Sequence, residues 1–191
     1  MKRLRQAFAE QVETVLAPLQ KRLKFIDESG AHLGMTRLYG RAAPGQRVRE
    51  GSPGTSGPHY TFIASLSVQG IDAPVIFEGA LNGDIFETYA RDLLGPTLKR
   101  NDIVVMDNLA AHKQTRIREA IEARGAQVVF LPPYSPDFNP IELCWSKVKT
   151  GLRQAKARTF DALVDALCDA LRAVTPNDAL AWFAHCGYAV T

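Results

Sequence analysis

Three acidic residues stand where the chain changes pattern. Asp27 ends the run Leu23-Lys24-Phe25-Ile26, Asp107 ends Ile103-Val104-Val105-Met106, and Glu142 lies in the first turn of a helix opened by Asn139-Pro140. Ionised carboxylates are acceptor-only, anionic ligands. Three of them gathered without matching cations repel one another, and a divalent ion is the natural resolution. Magnesium suits such a site because it takes hard oxygen ligands and keeps waters and open positions for phosphate. Two such ions about 4 Å apart can activate an attacking oxygen and stabilise a leaving one in an in-line phosphoryl displacement. Each residue also has a purely structural reading. Asp27 can open the turn Asp27-Glu28-Ser29-Gly30, Asp107 can start the helix that follows it, and Glu142 can complete a capping box with Asn139.

The three meet only if the elements around them are arranged in one way. Residues 23–26 and 102–106 read as strands, and if they lie parallel and adjacent, Asp27 and Asp107 share one carboxyl edge, where ligands bind in open α/β sheets. From Asp107 the chain descends through a helix over 113–124, closed by Gly125, and returns along a strand at 127–131. That return delivers the proline-rich loop 132–138, and then Glu142, to the same edge. Earlier in the chain, apolar positions at Leu4, Phe8, Val12, Val15 and Leu19 predict a helix ending near Pro18. A second strand is expected over 32–39, a third over 60–68 and another over 73–78. A helix is expected over 83–94, and helices opened by Asn139, Thr159 and Thr175 complete the chain. The expected fold is α/β, a mixed sheet of three early strands followed by strand-helix-strand-helix, with helices on both faces. Residues 1–21 are expected to form an N-terminal helix or linker remnant, and 22–191 the α/β domain that carries the three carboxylates.

Composition narrows the class of protein. With 46% hydrophobic and 23% charged residues the chain is globular rather than disordered. No apolar run approaches the roughly 20 residues that span a bilayer, and the N-terminus lacks the unbroken apolar stretch of a signal peptide. The three cysteines, Cys144, Cys168 and Cys186, show no CxxC spacing. A disulfide framework or zinc site is not expected, and a reducing cytoplasm is the expected setting. The net charge of +3 permits a nucleic-acid partner without arguing for one.

Charge placement says more. On the helix after Asn139, Ile141, Trp145, Val148 and Leu152 make a buried face, while Glu142, Lys149, Arg153 and Lys156 share a flank. An acidic ligand beside a basic stripe matches a metal at a scissile phosphate with cations along its neighbours; a solvated face of mixed charge is the alternative. Arg41, Arg47 and Arg49 lie in the aperiodic stretch 40–58.

Four stretches, Phe25-Ile26-Asp27-Glu28-Ser29-Gly30, Thr36-Arg37-Leu38-Tyr39-Gly40-Arg41, Val104-Val105-Met106-Asp107-Asn108 and Leu131-Pro132-Pro133-Tyr134-Ser135-Pro136-Asp137-Phe138-Asn139-Pro140-Ile141-Glu142, resemble the DDE transposases of bacterial insertion sequences. The likeness is to the insertion-sequence six-thirty family, related to mariner elements, and covers about residues 22 to 190. The 34 residues between Asp107 and Glu142 match that family's spacing.

The resemblance implies that residues 22–191 are a catalytic domain of ribonuclease-H-like fold, in which Asp27, Asp107 and Glu142 bind two magnesium or manganese ions. It implies hydrolytic cleavage of double-stranded DNA at transposon ends, then attack of the freed 3′-hydroxyl on target DNA, usually at TA dinucleotides. Asn108 and His112 match residues that follow the second aspartate of the motif and are candidates for supporting the site or touching DNA; for His112 an ordinary capping or surface role is the alternative. The resemblance also makes Arg41, Arg47 and Arg49 candidates for contact with a DNA backbone. A homodimer on DNA and action in a bacterial cytoplasm at the nucleoid are also implied. Relatives carry helix-turn-helix modules that recognise the ends, and about twenty residues precede the first strand here. End recognition is therefore expected from a part outside this chain, as in a frameshifted or truncated product. The alternatives in function are a standalone nuclease of the same fold and a catalytically incompetent fragment that binds DNA or regulates an intact transposase.

Overall fold

The computed structural model describes residues 2–109, 112 and 114–189. Its centre is a five-stranded mixed sheet in the order β3-β2-β1-β4-β5. The strands are β1 (Leu23–His32), β2 (His59–Ser67), β3 (Gly70–Glu78), β4 (Ile103–Met106) and β5 (Gln127–Phe130). The first three form an antiparallel meander. β4 and β5 then add in parallel on the other side of β1, with Leu23–Ile26 in register with Ile103–Met106. The adjacency of the two aspartate-bearing strands is thus as the sequence reading required. Among the described residues the α-helices are α1 (Lys2–Gln11), α2 (Gly83–Thr88), α3 (Thr115–Glu122), α4 (Pro140–Ala155), α5 (Phe160–Arg172) and α6 (Pro176–His185). The expected start of α3 at Lys113 lies outside the described residues. This is the ribonuclease-H-like mixed α/β arrangement.

The alternation of the strands builds two cores. Leu23, Phe25, Ile103 and Val105 point to the face covered by α1, α4, α5 and α6, where they meet Trp145, Val148, Leu163 and Phe183. Ile26, Val104 and Met106 point to the opposite face, against Phe86, Tyr89, Ile117 and Ile121 of α2, α3 and the turns after α2. Side chains at successive strand positions leave on opposite sides, and here both sides are covered, so β4 reads as an uninterrupted apolar run. Lys24 belongs to the second face; its ammonium is buried but bonded to Asp72 at 2.9 Å and to both oxygens of Thr97 at 3.1 Å.

Two expectations fail around β1. The turn-forming Glu28-Ser29-Gly30 does not stop the strand, which continues to His32 because its ladder with β2 continues through Gly30↔Thr61 and His32↔His59. Tertiary pairing here overrides local turn propensity. No separate strand forms over the expected 32–39, whose first residue, His32, ends β1. The chain turns at Leu33-Gly34 and runs irregularly to residue 58. The neck of this excursion is tight: Gly34 donates to the Ser56 carbonyl at 3.2 Å, and a Cβ on Gly34 would stand 2.9 Å from the Ser56 Cα. Arg158 staples the same neck through the Leu33 and Met35 carbonyls at 2.8 and 3.1 Å.

The N-terminal segment is helical, passing from α1 through a wider π-type turn at Val12–Leu16 and a 3-10 stretch at Ala17–Arg22 directly into β1. Phe8, Val12 and Leu16 are buried in the first core. At the other end, α6 begins with a complete capping box between Thr175 and Asp178.

Candidate active site

Asp27, Asp107 and Glu142 line one cleft of about 480 Å3, whose remaining walls are Asn108, Leu109, the loop from Leu131 to Pro136, and Asn139. Asp27 is the first residue of β1 beyond its ladder with β4, and Asp107 directly follows β4. Both therefore emerge where the parallel pairing stops. Parity places Asp27 on the α4 face with Phe25, and there its Oδ2 accepts a hydrogen bond from Trp145 Nε1 at 3.1 Å. Glu142 arrives from α4. Asn139 occupies the cap position with Pro140 as the first helical residue, yet the Asn139 side chain makes no capping bond. Glu142 is consequently not half of a capping box. Asn139 Oδ1 instead is buried without a hydrogen-bond partner.

The electrostatics are those of crowded carboxylates. Burial, followed by the charges of Glu142, Glu28 and Asp107, pushes the Asp27 carboxyl up to about 8. Glu142, on the open side of the cleft, is also raised, first by desolvation, with Lys149 opposing and Asp107 and Glu28 adding to the rise. Such a set favours either a retained proton or a bound cation. Among the described residues no three His, Cys, Asp or Glu side chains are already drawn together as a chelating group. The donor chemistry nevertheless fits a hard divalent ion: oxygen donors from β1, the end of β4 and α4 face one cleft and share an excess of negative charge.

Two residues join the site that sequence reasoning did not single out as part of it. Glu28, next along β1, leaves on the opposite face from Asp27. There it approaches His112, whose Nε2 lies 3.4 Å from Glu28 Oε2, with both atoms shut away from solvent. The other ring nitrogen, Nδ1, is 2.6 Å from Asp107 Oδ1, which also accepts the Leu109 amide at 3.0 Å. His112 is 1% exposed and lies against the Phe86 ring at 4.3 Å. It is therefore not a surface histidine. Burial opposes its charge, but the contacts with Asp107 and Glu28 outweigh it and hold the imidazolium up to about 9. A strand read as continuing past Asp27 would have revealed Glu28; Trp145 gave no signal beyond membership of a buried face.

The remaining candidates separate. Asn108 is half-buried on the cleft wall. Lys149 and Arg153 border a neighbouring hollow with His32 and Leu38. Lys156 instead sits at the left-handed cap of α4 and pairs with Glu50. Arg41, Arg47 and Arg49 are exposed on the irregular excursion.

Comparison with known proteins agrees with this arrangement. Residues 22–164 match the model of the DDE superfamily endonucleases. Over 91 residues the chain is 31% identical to the Tcb2 transposase of Caenorhabditis briggsae and 30% identical to the Tc1 transposase of Caenorhabditis elegans, in each case 48% of this chain and 33% of the relative. Among solved structures, the Mos1 mariner paired end complex with Mn superposes with a TM-score of 0.77 at 15% identity, covering 98% of this chain and 60% of that one. The isolated catalytic domain of Mos1 mariner transposase gives 0.69 at 12% identity, over 98% and 90%. The matched stretch covers a third of the two Caenorhabditis transposases, and the whole chain covers about 60% of the Mos1 chain in the paired end complex and 90% of the Mos1 catalytic domain. The sheet with its two parallel additions, the carboxylate cleft at their end, and a family match running from the start of β1 into α5 lead to one conclusion: the chain belongs to the DDE superfamily endonucleases.

Proposed function

We propose that the chain is the catalytic domain of a transposase of a bacterial insertion sequence, cutting double-stranded DNA at transposon ends and joining the freed end to target DNA. The convergence of Asp27, Asp107 and Glu142 on one cleft carries this reading. These three side chains would hold one or two divalent ions, magnesium or manganese. Bound there, the ions supply Lewis-acid activation of an attacking oxygen and of the scissile phosphate.

The protein's own residues supply position. Trp145 holds Asp27 and His112 holds Asp107, so neither carboxylate is free to swing. Lys149 and Arg153 would bind phosphates flanking the one that reacts. In the first reaction water attacks the phosphorus and a 3′-hydroxyl leaves; in the second that hydroxyl attacks a target phosphorus and displaces another 3′-oxygen. Two ends to be processed make a pair of copies the fitting assembly, with end recognition supplied by a helix-turn-helix part.

The test is cleavage and joining of a duplex that carries the element's own ends, in magnesium or manganese, by the wild type and Asp107→Asn. The variant is expected to lose nicking while folding and nonspecific DNA binding persist, and calcium is expected to support binding better than cleavage. Undiminished nicking by Asp107→Asn would overturn the site. Cleavage with no joining of pre-cut ends would favour a standalone nuclease, and DNA binding by a wild type that never nicks would favour a regulatory fragment.

A further inference from the structure

The loop that walls the active-site cleft cannot hold itself. Between Leu131 and Glu142 it contains Pro132, Pro133, Pro136 and Pro140, none of which has an amide hydrogen to donate. Its own backbone bonds are local: Phe138 to Ser135 at 3.1 Å, Asn139 to Pro136 at 2.9 Å and Glu142 to Asn139 at 3.1 Å. Tyr134 within it adopts a left-handed backbone, φ 54°, which costs energy for a residue with a Cβ. Such a conformation persists only when its surroundings impose it.

What imposes it comes from α1. Arg5 Nη1 donates to the Tyr134 carbonyl at 3.1 Å, to Ser135 Oγ at 2.8 Å and to Asp137 Oδ1 at 3.0 Å, while Nη2 donates to Asp137 Oδ2 at 2.7 Å. The guanidinium also lies 5.3 Å from the centre of the Phe138 ring, and Phe8, one turn further along α1, meets the same ring at 5.2 Å. This is a forked, planar grip of a kind a lysine cannot reproduce. Phe8, Val12 and Leu16 seat the helix in the core, so the grip is anchored at its other end. A second tether, Tyr188 Oη to the Phe138 carbonyl at 2.8 Å, holds the loop from the C-terminal side.

We infer that Arg5 is a positioning residue for the active site: through Tyr134, Ser135 and Asp137 it fixes the wall of the cleft and, through the continuous chain, the first turn of α4 that carries Glu142. The N-terminal helix is then a working part of the catalytic unit rather than a linker remnant. The catalytic half of this inference rests on the function proposed above; the structural half does not.

The experiment compares wild type, Arg5→Ala, Arg5→Lys, the exchanged pair Arg5→Asp with Asp137→Arg, and Tyr188→Phe, which removes the second tether. Amide hydrogen exchange is followed by mass spectrometry, and nicking is resolved into kcat and KM. Arg5→Ala is expected to speed exchange across 134–142 by about tenfold or more, with β1 and β4 unchanged. It is expected to lower kcat by about tenfold to a hundredfold at nearly constant KM for DNA. Arg5→Lys should recover little, and the exchanged pair should recover part of both effects. Unchanged exchange over 134–142 in Arg5→Ala would overturn the inference. So would a loss of kcat that follows the loss of melting temperature in every variant, Tyr188→Phe included. If the wild type itself does not nick DNA, the proposed function fails, and exchange over 134–142 still decides whether Arg5 braces the loop.

Discussion

Trp145 and Asp27, 118 residues apart, meet across a buried 3.1 Å hydrogen bond from the indole Nε1 to the carboxylate Oδ2. The helix that presents Glu142 therefore also holds the carboxylate of β1, and the two sides of the cleft are one mechanical unit. Trp145→Phe keeps the apolar body, which packs edge-on to Phe62 at 5.1 Å, and removes only the donor. Leaving the buried Asp27 oxygen without its donor is expected to cost about 1–3 kcal/mol. Nicking should fall more steeply than stability does. Denaturant unfolding and single-turnover cleavage measure the two, and equal activity with intact stability would show that the bond does not orient Asp27.

Asp27→Asn should separate stability from activity. The folded-state carboxyl is raised to about 8, above its ordinary 3.8, by burial and by Glu142, Glu28 and Asp107. The native protein therefore holds a proton that the unfolded chain gives up, and stability falls as pH rises between those two values. In chelator, Asp27→Asn is expected to melt several degrees above the wild type at pH 8, with little difference at pH 4. Saturating magnesium should narrow the gap at pH 8 by stabilising only the wild type. Identical melting at pH 8 in chelator would refute the picture of an overcharged cleft.

His112→Ala tests the support behind Asp107. Partners that orient a metal-binding carboxylate are typically worth about 10–100-fold in metal affinity or activity. The variant should need more magnesium for half-maximal nicking while binding DNA normally. Because contacts with Asp107 and Glu28 outweigh burial and hold His112 up to about 9, its ionic contribution to stability is complete below the ordinary value of 6.5 and is lost as pH rises through 9. The stability cost of the substitution should therefore be larger at pH 6 than at pH 9.5; a cost independent of pH would mean that packing against Phe86 is the whole of its role.

Lys149 and Arg153 should behave alike on DNA and Lys156 differently. Neither of the first two has an ion-pair partner among the described residues, whereas Lys156 is engaged with Glu50. Each phosphate contact removed lowers the slope of log affinity against log salt by about 0.9. Lys149→Ala and Arg153→Ala are expected to show that loss on random-sequence duplex, and Lys156→Ala a smaller one. Binding measured from low to moderate salt gives the slopes, and no change in the Lys149→Ala, Arg153→Ala double variant would remove the stripe from the DNA path.

Much of this was legible in the sequence because it is written locally. The apolar run before Asp107, the amphipathic helix closed by Gly125, the strand after it and the Asn139-Pro140 helix start each announce themselves within a dozen residues. Together they fix the topology that carries Glu142 to the sheet edge. What was hidden depends on pairing at a distance. Glu28-Ser29-Gly30 looks like a turn until β2 lies alongside it, and only then does Glu28 belong to the opposite face. His112 has the neighbourhood of a surface residue until Phe86, from another element, covers it. The grip of Arg5 on Asp137 spans 132 positions, a separation at which no periodicity or spacing speaks.

β1 has ten residues and β4 only four, and their ladder ends at Ile26 and Met106. Beyond that point the sheet forks: one prong, still paired to β2, runs on to His32, and the other leaves as the segment after Asp107. The carboxylates sit in the crotch. A longer β4 would have knitted the crotch shut and spent the backbone of 107–109 on further sheet. Catalytic capacity in this fold is thus tied to unfinished pairing, and substitutions that make 107–109 better strand formers should consolidate the sheet at the expense of the opening.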